Sequence, residues 1–75
     1  MDKKFLETIS EVLKISTNRL KEDSTASSIP EWDSLNHWAV IDKLEETYGI
    51  EFTMDEATGF KNLGDIFNTL ESKLK

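Results

Sequence analysis

Few residues in this 75-residue chain have side chains that could do chemistry, and they cluster in Glu31-Trp32-Asp33-Ser34-Leu35 and the His37 that follows. A serine nucleophile needs a base beside it and an acid to orient that base. His37, the only histidine, lies three residues after Ser34, but helical spacing puts it within an apolar stripe rather than in a cleft. A chain this small also has little room to exclude water, so catalysis is not expected. Metal binding has less support still. One His and no Cys leave no zinc set, and "DEATGF" lacks the spaced oxygen ligands of a calcium loop. Two readings remain for Ser34. It could cap a helix, as Asp33 also could, or it could present a hydroxyl at a helix N-terminus, where unpaired N–H groups favour an attached phosphate.

The helices that must position this stretch can be read from periodicity. Residues from about Asp2 to Lys14 put Phe5, Leu6, Ile9, Val12 and Leu13 on one stripe. A long connection follows, with Ser16 able to cap a short turn through Leu20 and "DSTASS" reading as turn chemistry. Pro30 bars a helix from running through Ile29. Ile15, Leu20, Ile29 and Trp32 are the candidates to pin this loop to the core. The next helix runs from about Ser34 to Tyr48 and stops at Gly49. Its inward stripe is Trp38, Val40, Ile41, Leu44 and Tyr48, with His37 in the first turn; the opposite face carries Leu35, Ala39, Asp42 and Glu46. Thr53 or Asp55 caps a short helix ending at Gly59. A last helix from about Asn62 to Leu74 buries Leu63, Ile66, Phe67, Leu70 and Leu74. The expected fold is all-α, a small four-helix bundle of three longer helices and one short one with a long first loop, in a single domain spanning residues 1–75.

Net charge is −6, from 15 acidic against 9 basic residues. That disfavours a nucleic-acid binder, which needs cations to displace phosphate counterions, and favours partners with basic surfaces. Between Asp33 and Glu56 seven acids meet a single lysine, Lys43, so the acidity sits on and just after the helix that Ser34 opens. Leu35 is apolar yet points away from the core among these acids, as in a docking surface for basic partners. Zero cysteines mean that packing alone holds the fold. The N-terminal residues lack an apolar leader segment, and no run is long enough to span a bilayer. A soluble cytoplasmic location is therefore expected, without membrane insertion, and nothing in the pattern demands more than a monomer.

The order "DSL", "LEETYGIEF" and "FKNLGDI", at these separations, resembles the acyl carrier protein family across essentially the whole chain. "SEVLKIS" and "LKEDST" are similar to that family's first helix and the opening of its long loop. The resemblance implies a carrier rather than an enzyme. Ser34 would be the attachment point of 4′-phosphopantetheine, taken from coenzyme A by a Mg²⁺-dependent phosphopantetheinyl transferase, and Asp33 would help position that magnesium. Cargo would ride as a thioester on the arm's thiol. Leu35, Ala39, Asp42, Glu45 and Glu46 would form the face read by loading and acyl-using enzymes. The tryptophan in "EWDSL" is similar to free-standing carriers of specialised biosynthetic pathways more than to housekeeping fatty-acid carriers.

Departures from the family pattern bear on cargo and partners. Asp42 stands where many members carry an apolar residue, commonly Met, which alters partner choice. Trp38 occupies a core-facing position usually held by a smaller aliphatic residue. With Tyr48, Phe52 and Phe60 it would fill the space where other carriers hide a fatty chain, implying short or polar cargo outside the bundle. His37 is expected to be half-buried and hydrogen-bonded to the long loop. Ser24, Ser27 and Ser28 read as plain loop residues. An aminoacyl or peptidyl carrier shares this fold and chemistry, and an unmodified helical adaptor for a basic protein is the alternative of a different class.

Overall fold

A computed structural model describes residues 1–74. Among them are four helices and no strand: α1 (Lys3–Leu13), α2 (Ser34–Tyr48), α3 (Met54–Gly59) and α4 (Leu63–Leu74), with a 3₁₀ turn at Thr17–Arg19. The all-α, four-helix architecture is the expected one. Its radius of gyration, 11.1 Å, is what a compact chain of this length requires, roughly 11 Å.

Each helix starts where a side chain can satisfy its orphan N–H groups. Asp2 accepts from the Phe5 N–H at 2.8 Å and so caps α1. Lys14 ends that helix in the left-handed conformation, φ 58°, with its N–H donated to the Ser10 carbonyl. Thr53 and Glu56 form a reciprocal capping box on α3. Asn62 Oδ1 accepts from the Asp65 N–H at 2.8 Å at the start of α4. Gly49 closes α2 at φ 67°, a conformation that costs any residue with a Cβ about 1–2 kcal/mol.

One core joins α1, the long loop, α2 and α4. Phe5, Ile9 and Leu13 of α1 pack with Val40 and Leu44 of α2, and with Leu63, Ile66 and Leu70 of α4. Leu20, Ile29 and Trp32 of the long loop are buried in the same cluster, as the sequence suggests. Each such side chain stabilises the fold by about 1.5–3 kcal/mol relative to exposure. Phe67 adds an edge-to-face contact with Phe5, ring centres 5.1 Å apart.

The long loop is strapped down rather than loose. Arg19 and Glu31 pair at both ends of their side chains, two contacts of 2.9 Å, and so join the start of the loop to its end. Ser24 lies in the loop, as expected, and is buried. Its hydroxyl accepts from the Lys21 N–H, and its carbonyl accepts from the Leu63 N–H at 3.0 Å. The Gly64 N–H likewise donates to the Glu22 carbonyl at 2.9 Å. The loop therefore satisfies two of the first N–H groups of α4, a long-range partnership that turn-type composition does not reveal.

Two inward assignments are corrected. Trp38 is 41% exposed rather than core-facing, because the buried residues of α2 begin at Val40, and its first turn projects beyond the core. Leu74 is 51% exposed, because α4 runs one turn past Leu70, the last of its fully buried residues. Tyr48, Phe52 and Phe60 are partly buried against the core.

Candidate functional site

The cap and the exposed hydroxyl at the start of α2 fall to different residues. Asp33 takes the N-cap, with Oδ1 accepting from the Asn36 N–H at 2.9 Å. Ser34 is the first helical residue, exposed, and its hydroxyl has no hydrogen-bond partner among the described residues. The serine is thus not consumed by local structure. It presents an oxygen to solvent beside the positive end of a 15-residue helix.

The surroundings hold that hydroxyl in a fixed frame. Asn36 Nδ2 donates to the Glu31 carbonyl at 2.7 Å, tying the first turn of α2 to the end of the long loop. The Arg19 guanidinium, hydrogen-bonded to Glu31, holds that carboxyl below its ordinary range. His37 Nδ1 accepts from the buried indole N–H of Trp32 at 3.0 Å, and its Nε2 sits 2.7 Å from the Ala57 carbonyl. Both contacts are satisfied only by the neutral ring with its proton on Nε2. His37 therefore struts the long loop, α2 and α3 together, extending the loop contact expected of it by one more element. It is not aimed at Ser34 as a base.

Beside Ser34 lies an open groove of about 600 Å³. Pro30, Trp38 and Phe60 supply apolar wall, while Asp33, Ser34 and Lys61 supply polar groups. Trp38, Phe60 and Lys61 were not among the sequence-derived site residues. The place of Trp38, one turn after the serine, is the signal that could have found the first of them; the other two come from the end of α3 and the α3–α4 connection and reach the groove only through the fold.

The expected docking residues divide. Leu35, Ala39, Asp42 and Glu46 are exposed and recur at helical spacing along one face of α2, with Leu35 83% exposed. Glu45 differs: it is half-buried, and its Oε2 accepts from the Phe52 N–H at 2.8 Å. That carboxylate fastens the α2–α3 connection. Among the described residues no cluster of His, Cys, Asp and Glu could hold a metal ion, and no helix is long and apolar enough to cross a membrane.

Comparison with known proteins bears on what this surface serves. A family model described as "phosphopantetheine attachment site" matches residues 3–70. Among solved structures, the solution NMR structure of the holo acyl carrier protein from Geobacter metallireducens superposes with a TM-score of 0.86 at 31% identity. The match covers 95% of this chain and 82% of that one. No curated protein gives a significant match. The residues present suit a phosphopantetheine group: an unengaged exposed hydroxyl, a helix N-terminus and an adjoining groove with one apolar wall.

Proposed function

Since this chain belongs to the phosphopantetheine attachment site family, as a carrier domain of the acyl carrier kind and not an enzyme, we propose that Ser34 bears its 4′-phosphopantetheine and that the carried group is an acyl chain of a specialised biosynthetic route. One observation carries the assignment to this residue. With Asp33 as the cap, Ser34 alone offers an unengaged hydroxyl at the start of α2.

Attachment asks little of the carrier itself. In the transferase complex the Ser34 oxygen forms a phosphoester bond, the hydroxyl proton is lost, and the pyrophosphate link of coenzyme A breaks to release its nucleotide half. Asp33 keeps a second carboxylate oxygen, beyond the one engaged in the cap, with which to orient the transferase's Mg²⁺. When bound, the arm supplies the thiol that holds the cargo as a thioester, which a chain without cysteine could not do. Leu35, Ala39, Asp42 and Glu46 provide an apolar centre with acids around it for the transferase and for loading and acyl-using enzymes with basic docking patches. Charge of this kind speeds encounter more than it tightens binding, which suits a carrier that must leave each partner in turn.

The assignment is tested on protein purified from its native cell. Trypsin releases Glu22–Lys43, a peptide that holds Ser24, Ser27, Ser28 and Ser34. Fragmentation should place one phosphopantetheine on Ser34. The group on another serine, or an unmodified peptide throughout growth, would overturn the proposal.

A further inference from the structure

Beyond the attachment point, we infer that Asn36, braced through Glu31 by Arg19, is a positioning residue that fixes the frame in which Ser34 is modified. This inference rests on Ser34 being the attachment residue. Two bonds run from Asn36 to the residues before the helix. Its backbone N–H donates to Asp33 Oδ1 at 2.9 Å, and its side-chain Nδ2 donates to the Glu31 carbonyl at 2.7 Å. Ser34 lies inside the short segment that these bonds close. Its backbone is therefore held, although its own hydroxyl engages nothing among the described residues.

The residue type matters at this place. In a capping box the third helical residue is Glu or Gln, and its side-chain oxygen accepts from the N-cap N–H, as that of Glu56 does in α3. Asn36 stands third in α2 but turns a donor back to a carbonyl two residues before the cap. A carboxylate at that position would have no proton to offer. The far end of the brace is the Arg19–Glu31 pair, two contacts of 2.9 Å. Glu31 is thus held at its carbonyl by α2 and at its carboxylate by the 3₁₀ turn that opens the loop. Arg19 precedes Leu20, which is buried in the core, so the brace ends on a fixed point.

The brace acts on geometry more than on stability. The Arg19 and Glu31 side chains are 45% and 39% exposed, and exposed ion pairs contribute little to folding. Transfer to a hydroxyl, by contrast, depends on how that hydroxyl is held, and a misplacement of about 1 Å can slow a reaction about 100-fold. Asn36 is half-buried and uses its donor inside the molecule. Its effect therefore falls on the bond-forming step rather than on docking of the transferase.

The experiment is single-turnover modification with coenzyme A, Mg²⁺ and a phosphopantetheinyl transferase in excess over the carrier, read by intact mass. It separates the rate constant at saturating transferase from the transferase concentration that gives half that rate. Circular dichroism first confirms that each variant is folded at the assay temperature. Asn36→Ala should lower the saturating rate constant severalfold and leave the half-saturating concentration unchanged. Asn36→Asp adds an acid to the docking helix but no donor, so its rate constant should fall as far while half-saturation is unchanged or improved. Arg19→Ala, at an exposed site in the loop, should give a smaller loss, and combining it with Asn36→Ala should slow the reaction no further. Additive losses would remove Arg19 from the brace. A saturating rate constant unchanged in either folded Asn36 variant overturns the positioning role while the attachment stands. A loss confined to the half-saturating concentration does the same, since it makes Asn36 a docking residue. A wild type that gains no mass overturns both.

Discussion

Asp33 and Ser34 are chemically alike as helix caps, and the fold separates them. Asp33→Ala removes the acceptor for the Asn36 N–H and should cost about 1 kcal/mol in urea unfolding. Asp33→Asn keeps an acceptor and should stay within a few tenths of a kcal/mol of wild type, while slowing modification severalfold because the Mg²⁺-facing charge is gone. Equal modification rates for Asn and wild type would leave Asp33 as a cap only. His37→Ala should cost about 1–3 kcal/mol by the same measurement, since it strands the buried Trp32 indole N–H and the Ala57 carbonyl. That Asp33 and Ser34 stand at the start of α2 was legible in sequence, because "DSL" precedes an apolar-periodic run that ends at a glycine. The strut through His37 was legible only toward the loop. Its other bond reaches a backbone carbonyl 20 residues away, and a backbone carbonyl carries no residue-type signal.

The elements repeat this division between local and distant causes. The limits of α2, Ser34 and Tyr48, match the sequence expectation because an acidic cap and a C′ glycine are both local chemistry. Trp38 was misplaced because a helical wheel treats every turn as equally packed, whereas the first turn of α2 overhangs the groove. The strap between the long loop and α4 was illegible for the same reason as the strut. A Cβ on Gly64 would stand 3.1 Å from the Glu22 carbonyl oxygen, so Gly64→Ala should force the loop to give by a few tenths of an ångström and cost about 1 kcal/mol. The α3–α4 pairing is a pH-dependent element. Glu56 accepts from Lys73 at 2.7 Å, and that bond, with the Thr53 backbone N–H, lowers its pKa. A lowered folded-state pKa contributes stability above the ordinary carboxylate range that disappears as pH falls through the lowered value. Glu56→Gln keeps the capping box but not the charge. Its melting temperature should lie below wild type at neutral pH, and the gap should close in acid; a gap independent of pH would contradict the pairing.

At the scale of the molecule, composition and fold agree on a small, marginally stable carrier. Seventy-five residues imply about 4–11 kcal/mol of stability, none of it from disulfides in a chain without cysteine, so reductant should not change the melting temperature. The net charge of −6 is concentrated on and after α2, where the exposed face carries Leu35, Ala39, Asp42 and Glu46. Modification by a transferase with a basic docking patch should therefore slow severalfold as salt rises from about 0.05 to about 0.5 M. The most direct measurement is intact mass after incubation with coenzyme A, Mg²⁺ and a broad-specificity phosphopantetheinyl transferase, on the wild type and on Ser34→Ala. The account predicts a gain of one phosphopantetheine in the wild type and none in the variant. The same gain in Ser34→Ala, or none in a wild type exposed to a transferase active on other carriers, would contradict it.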